Sequence, residues 1–138
     1  FKMSKKSIKT TNGELVNLIN GLFAVQDLKG VKFGLLVSKN VRILQTELKD
    51  LEEASKPADD FVKLSQDINV LRDRKDEKAI DKLEKDNQKL IEARKKQLDE
   101  LDKLLLEESE LQLHPIPEDC LPADITGKQI SNIDKLLG

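Results

Sequence analysis

A long polar helix signal dominates the middle of this chain. Between Asp59 and Glu110 the sequence contains neither proline nor glycine, and leucine and isoleucine recur among lysine, glutamate and aspartate. One stripe has spacings that alternate between three and four positions: Ile80, Leu83, Asn87, Leu90, Arg94, Gln97, Leu101 and Leu104. This spacing is typical of a heptad seam. Because so long and polar a segment cannot bury itself against one small core, it must pair with another helix of the chain, a second copy or a partner.

The composition agrees with a thin core and a large surface. Of the 138 residues, 36% are charged and 38% are hydrophobic, a balance that suits one domain built of paired helices. The 24 basic and 26 acidic residues are interspersed and give a net charge of -2. There are four Phe and neither Tyr nor Trp. Without a broad basic field or many aromatic platforms, nucleic acid is an unlikely partner.

Two apolar stripes precede the long segment. The first helix is predicted to begin at Thr11 or Asn12 and the second to end before Pro57, because the residue before a proline avoids helical geometry. A third helix follows, and the charged run at residues 72–78 predicts a bend or short loop near 73–76, with an uninterrupted helix as the alternative. The stripes comprise Leu15, Leu18, Ile19, Leu22 and Phe23, then Val37, Val41, Leu44, Leu48 and Leu51.

The two ends of the chain differ in character. Residues 1–10 are predicted to be a basic, flexible tail. Past Glu110, Pro115 and Pro117 confine the chain to an edge strand or extended arm. Thr126 and Gln129 have the spacing of a capping box that opens a short last helix. The sequence therefore predicts a mainly α fold, an antiparallel helical hairpin or coiled-coil-like bundle with short terminal helices and one short extended segment. Residues 11–138 form its single helical domain, with a long helical arm at about 57–110.

Residues that could carry chemistry are few. His114 is the only histidine and Cys120 the only cysteine, so neither a zinc site nor an internal disulfide is expected. Carboxylate pairs such as Glu52 and Glu53 are typical of a solvated helix face. We therefore predict no enzyme activity, no catalytic residue, no metal and no cofactor. With no apolar run long enough for a membrane span and no secretory signal, we expect a cytoplasmic protein.

Two candidate binding sites remain. The first is a surface for a partner or for self-association along the heptad seam: Ile80, Leu83, Leu90, Leu101 and Leu104. The second is a phosphate contact through the basic tail: Lys5, Lys6 and Lys9. For the seam, internal core is the alternative interpretation over most of its length, although Arg94 and Gln97 would loosen a purely internal pairing. For the tail, the alternative is simple solubility.

The order of segments resembles a family of small tailed-phage and prophage proteins. The likeness covers residues 8–53, including Val37-Ser38-Lys39-Asn40, and residues 98–137, including the final Ile-Thr-x-x-Gln-Ile helix at 125–130. The middle departs from the family, whose members often carry a glycine- and aspartate-rich insertion where this chain has the polar helix. The resemblance implies a phage origin and a small accessory role, and it carries over no catalytic residue.

These inferences lead to a functional hypothesis. We expect a non-enzymatic, phage-encoded protein that binds another protein, either a phage structural protein during assembly or a host protein that it inhibits, and that could form a homodimer. One alternative is a helical holdase that grips unfolded clients. Another is a nucleic-acid-associated protein that uses the basic N-terminal tail, whose affinity would fall steeply with salt.

Overall fold

The computed structural model describes residues 4–138, and the protein is mainly helical, as predicted. The described residues form six α-helices and one two-stranded antiparallel sheet. In chain order the elements are β1 (Lys6–Thr11), α1 (Asn12–Val25), α2 (Val31–Ser55), α3 (Asp59–Asp73), α4 (Glu77–Asp86), α5 (Gln88–Leu106), β2 (Glu108–Leu113) and α6 (Gly127–Asn132), with short 3-10 turns at Glu118–Cys120 and Asp134–Leu136.

The chain divides into two compact units. The sheet unit comprises the described residues up to Asp50 together with Leu104–Gly138. The hairpin unit comprises Leu51–Lys103. The division falls inside α2 and inside α5, so the hairpin unit is a continuous segment placed between the two parts of the sheet unit in sequence.

Strand β1 occupies most of the segment that the sequence predicts to be a flexible tail. That prediction is wrong for residues 6–10, which pair antiparallel with β2 from Lys6 opposite Leu113 to Thr11 opposite Glu108. Ile8 supplies the only buried side chain of β1, and its strand partner lies about a hundred residues further along the chain. A lone apolar residue among lysines gives no local signal for a strand, which explains the error. Residues 1–3 of the predicted tail lie outside the described part of the chain.

The sheet unit has a conventional apolar core. Helix α1 begins where predicted, because the Thr11 hydroxyl accepts a hydrogen bond of 3.2 Å from the Glu14 amide and caps the helix. The predicted stripes of α1 and α2 point inward, with the exception of Phe23, which is 38% exposed. The fully buried large side chains in this unit include Leu15, Leu22, Val25, Phe33, Val37, Leu44, Leu113, Ile116, Ile133 and Leu136.

One polar side chain lies in the middle of that core. Asn40 on α2 is completely buried, its amide nitrogen donates to the His114 carbonyl at 2.8 Å, and its amide oxygen accepts from the His114 backbone N–H at 2.7 Å. The side chain thus pairs with the backbone as a neighbouring strand would, just beyond the end of β2. Since both groups would otherwise be buried without a partner, this pair fixes the position of β2 on α2.

The C-terminal segment closes on the sheet unit. Thr126 and Gln129 form the predicted capping box, with bonds of 3.1 and 2.9 Å between each side chain and the other residue's backbone N–H. Helix α6 packs against α1 at Gly21, where an added Cβ would lie 2.8 Å from the Asn132 carbonyl oxygen. Only glycine permits so close an approach.

The predicted bend near residues 73–76 is confirmed as a tight turn between α3 and α4. Lys75 adopts a left-handed conformation with φ of 57°, its amide donates to the Arg72 carbonyl, and the Asp76 amide donates to the Leu71 carbonyl. These are the two bonds of a Schellman motif, whose left-handed position usually holds glycine. The Asp76 carboxylate then caps α4 by accepting from the Ala79 amide at 3.2 Å.

We predict that Lys75→Gly stabilises the protein. A side chain in the left-handed region costs about 1–2 kcal/mol, and the greater flexibility of glycine in the unfolded chain offsets part of the gain. The free energy of unfolding in urea should therefore rise by about 0.5–1 kcal/mol. Lys82→Gly, at an exposed position in the middle of helix α4, is the matched control and should lower it by about 1 kcal/mol. Destabilisation by both substitutions would contradict the turn geometry.

Candidate partner-binding surface

The hairpin unit is two helices thick. Helices α3 and α4 run antiparallel from the turn at Arg74 and Lys75, so that Asp60 at the start of α3 lies beside the end of α4, where both line a shallow depression with residues 85–90. Helix α5 follows after a break at Asn87. The end of α2 and the start of α3 lie along α5, as the contacts of Arg94 and Gln97 show. The predicted antiparallel helical hairpin is present in this unit.

Arg94 and Gln97 bind the end of α2. Gln97 donates to the carbonyls of Ala54 and Lys56, both at 2.8 Å, and Arg94 donates to the Ser55 carbonyl at 3.0 Å. The last carbonyls of a helix have no partner within the helix, and Pro57 prevents α2 from continuing. The side chains of Arg94 and Gln97 supply the hydrogen bonds that these carbonyls would otherwise lack. Arg94 also donates to Gln97 at 2.9 Å and lies over the Phe61 ring, 5.9 Å from its centroid.

These contacts revise the interpretation of the seam. The sequence suggests that Arg94 and Gln97 loosen an internal pairing, whereas the structure uses both to hold it together. At this point the seam faces the interior of the hairpin unit. The polar residues inside the stripe are the connectors between the two sides of the hairpin.

The predicted seam residues do not form one straight row. Ile80 and Leu83 lie on α4, Leu90 and Leu101 lie on α5 within the hairpin unit, and Leu104 on α5 belongs to the sheet unit. All five are partly buried. The row is interrupted at Asn87, whose side-chain amide donates to the Leu83 carbonyl at 2.8 Å while its backbone amide donates to Glu84. A side chain inserted into the helical hydrogen-bond ladder in this way breaks the helix into α4 and α5.

The hairpin unit buries very little completely. Leu64 is its one buried apolar side chain, at 5% exposure. Its other inward-facing apolar side chains remain partly exposed: Phe61, Ile68, Leu71, Ile80, Leu83, Leu90, Ile91 and Leu101. Two paired helices share only one contact face, so the edges of each stripe stay in contact with water.

Three large apolar side chains of the hairpin unit are truly exposed. Val62 and Val70 on α3 are 37% and 48% exposed, and Leu98 on α5 is 41% exposed. The sequence analysis did not single them out, because each lies beside a stripe and not in it. A signal was present in the spacing of Ile91 and Leu98, which are seven residues apart next to the predicted seam. These three residues are the candidate partner contacts of this unit.

The lysines predicted to contact phosphate lie at the start of the chain's only described sheet. Lys9 forms an ion pair with Glu108 at 3.8 Å, and Lys6 donates weakly to the Lys135 carbonyl at 3.5 Å. Lys5 precedes the strand and is exposed. Beside them, the Ser7 hydroxyl donates to Glu110 at 2.6 Å. The carboxylates of Glu108 and Glu110 on β2 thus lie beside the lysines of β1. A phosphate bound there would be attracted by the lysines and repelled by these carboxylates.

His114 and Cys120 have environments that explain their chemistry. His114 is 8% exposed, and its Nδ1 has no hydrogen-bond partner among the described residues. Burial, and then the positive charges of Lys5 and Lys39, lower its pKa. For Cys120, burial raises the pKa of the thiol, which also donates to the Pro117 carbonyl at 3.1 Å. In both residues burial thus favours the neutral form.

Within residues 4–138, no group of three or more His, Cys, Asp or Glu side chains is arranged to hold a metal ion. None of the helices in that range is long and apolar enough to cross a membrane. Comparison with models of protein families, with curated proteins and with solved structures finds no match to this chain.

We predict that Arg94→Met destabilises the protein by about 1–2 kcal/mol. The substitution keeps the apolar stem but removes the charged hydrogen bond to the Ser55 carbonyl and the contact with the Phe61 ring. Urea unfolding monitored by circular dichroism measures the change. Lys96→Met, two residues away on the exposed face, should shift stability by less than about 0.5 kcal/mol. Equal effects of the two substitutions would contradict the proposed role of Arg94.

We also predict that stability falls as the pH drops below the ordinary histidine pKa of 6.5. Because the folded-state pKa of His114 is lowered, the unfolded chain binds the proton more readily, and the stabilisation present above pH 6.5 is lost as the pH falls towards the folded-state pKa. The comparison is urea unfolding of the unmodified chain and of His114→Phe between pH 8 and pH 5. The variant should lose less stability over this range, and parallel losses would exclude His114 as the cause.

Proposed function

We propose that this chain is a non-enzymatic, phage-encoded protein that acts in the cytoplasm of the host cell by binding another protein through the hairpin unit. The observation that supports the proposal is the burial pattern of that unit, in which Leu64 is the one buried apolar side chain and Val62, Val70 and Leu98 are exposed. A segment of more than fifty residues with so small a core gains much of its stability from a further surface that covers its apolar edges.

The gain from such a contact is large enough to matter. Complete burial of a valine or leucine side chain contributes roughly 1.5–3 kcal/mol, so a partner that covers two or three of these residues gains several kcal/mol before the cost of association. The charged residues around them would form a polar rim, which sets register and specificity more than affinity. A small apolar contact with a charged rim is typical of a specific and reversible interaction.

The class of partner follows from the resemblance described above. A small accessory protein of a tailed phage meets phage structural proteins during assembly and host proteins that the phage inhibits, and the proposal includes both. The phage origin rests on residues 8–53 and 98–137, whereas Val62 and Val70 lie in the middle of the chain, which departs from the family. The partner is therefore expected to be particular to this chain.

The experiment is affinity capture with the intact chain from lysates of phage-infected and uninfected bacteria. Any dominant captured protein is then purified and its affinity for the chain is measured with the two proteins alone. A phage structural protein would define an assembly factor, and a host protein would define an inhibitor. Recovery of many unrelated unfolded proteins in place of one partner would favour the holdase alternative.

We predict that Val62→Glu combined with Val70→Glu lowers the affinity for that partner at least tenfold. Both positions are exposed, so the charges should leave the fold intact while they place unpaired carboxylates in the contact. Val31→Glu is the matched control, because Val31 is 93% exposed and lies in the sheet unit. If Val31→Glu weakens binding and the double variant does not, the partner binds the sheet unit and the proposed surface is wrong.

A further inference from the structure

We propose that helix α5 of the hairpin unit binds a second copy of this chain, with the two α5 helices antiparallel and Leu98 at the centre of the contact. The inference rests on the proposed function, in that it takes the hairpin unit as the binding element, and it deepens it by naming one partner. It concerns α5 alone and leaves Val62 and Val70 on α3 for another protein.

Helix α5 has two apolar rows, and the hairpin covers the second row only in part. Leu90, Arg94, Gln97 and Leu101 form the row that faces the end of α2 and the start of α3, as the bonds of Arg94 and Gln97 show. Ile91 and Leu98 form a second row, one residue further around the helix. They are seven residues apart, so they lie on one face about 10 Å from each other. Leu98 is 41% exposed and Ile91 is partly buried, so this second row is open at Leu98.

Two opposite charges flank the second row with the same spacing. Lys95 and Asp102 are also seven residues apart, each four residues beyond a member of the row, and both are exposed. Neither side chain takes part in a hydrogen bond or ion pair within residues 4–138. In heptad terms the row occupies one core position and the charges occupy the adjacent edge position, which sets partner choice and orientation in paired helices.

The order of these charges matches an antiparallel copy. We place the twofold axis between two antiparallel α5 helices, level with the midpoint of residues 98 and 99. Residue 95 of one chain then lies opposite residue 102 of the other. Lys95 then faces Asp102 of the second copy, and by symmetry Asp102 faces Lys95 of the second copy. The same axis places Leu98 against Leu98. One apolar contact and two identical ion pairs thus arise from a single arrangement.

A second copy fits this surface better than an arbitrary protein does, because the surface is complementary to itself. The contact would join two hairpins of two helices each into a four-helix arrangement with the two α5 helices at its centre. The α5 helix of the second copy would then cover the exposed part of Leu98. An unrelated partner would need both the spacing and the reversed order of charges.

The test is a charge swap on the full-length chain. The dimer dissociation constant is measured by sedimentation equilibrium at low salt for the unmodified chain, for Lys95→Asp, for Asp102→Lys and for the double variant. Each single substitution should raise the constant roughly tenfold, because it places like charges opposite each other twice per dimer. The double variant should return to within about threefold of the unmodified value, since its reversed pairs attract again.

Two further variants separate self-association from folding. Leu98→Glu should abolish the dimer while the far-ultraviolet circular dichroism stays unchanged, because Leu98 is already exposed. Lys96→Asp, adjacent to Lys95 but pointing away from the row, should leave the dimer unaffected.

The outcomes are distinct. A chain that is monomeric at 100 μM, a dimer that survives Leu98→Glu, or a double variant that stays as weak as the single ones would each overturn the antiparallel contact. If the chain is monomeric but still captures a partner through Val62 and Val70, this inference fails and the proposed function stands. If it dimerises as described but captures nothing, self-association is the whole of its binding activity.

Discussion

Two helices that pack side by side can share only one face, and this constraint governs the hairpin unit. Leu64 is the one buried apolar side chain, and every other inward-facing apolar side chain of Leu51–Lys103 keeps an edge in water. The sheet unit is not limited in this way, because its helices, strands and C-terminal turns surround their apolar side chains from several directions. The two parts of the chain therefore differ in what they gain from a further contact. The apolar side chains of the sheet unit are already buried, whereas a partner of the hairpin unit would bury apolar side chains that are now partly exposed.

Polar side chains hold together what the apolar residues bring into contact. Arg94 and Gln97 bind the last carbonyls of α2, and Asn12 donates to the Leu104 carbonyl near the end of α5 at 2.9 Å. Asn40 pairs with the backbone of His114 in the centre of the sheet unit. In each case a side chain distant in sequence satisfies backbone groups that a helix or strand leaves unpaired at its end. Such bonds give modest net stability, but they specify where each element must stop and what must lie beside it.

Much of the helical architecture follows from local signals. The cap at Thr11, the break at Pro57, the turn before α4 and the capping box at Thr126 are all set by residues within one helical turn, and the sequence predicts them. Strand β1 could not be predicted, because its partner β2 is about a hundred residues away and Ile8 alone points inward. The roles of Arg94 and Gln97 were equally hidden, since their acceptors are carbonyls, which any residue carries. For the candidate surface, the sequence predicts the heptad row, but only the structure shows which edge of α5 is left uncovered.

The pairing of β1 with β2 has a consequence for the order in which the chain can fold. During synthesis Lys6 emerges from the ribosome long before Leu113, so β1 must wait without its partner while more than a hundred residues are added. The hairpin unit lies wholly within this interval and depends on contacts between near neighbours, which form fast. Once α3 has turned back through α4 into α5, the effective loop between the two strands is much shorter than the sequence suggests, and its closure costs less entropy. Early folding of the hairpin unit would therefore help β1 and β2 to find each other.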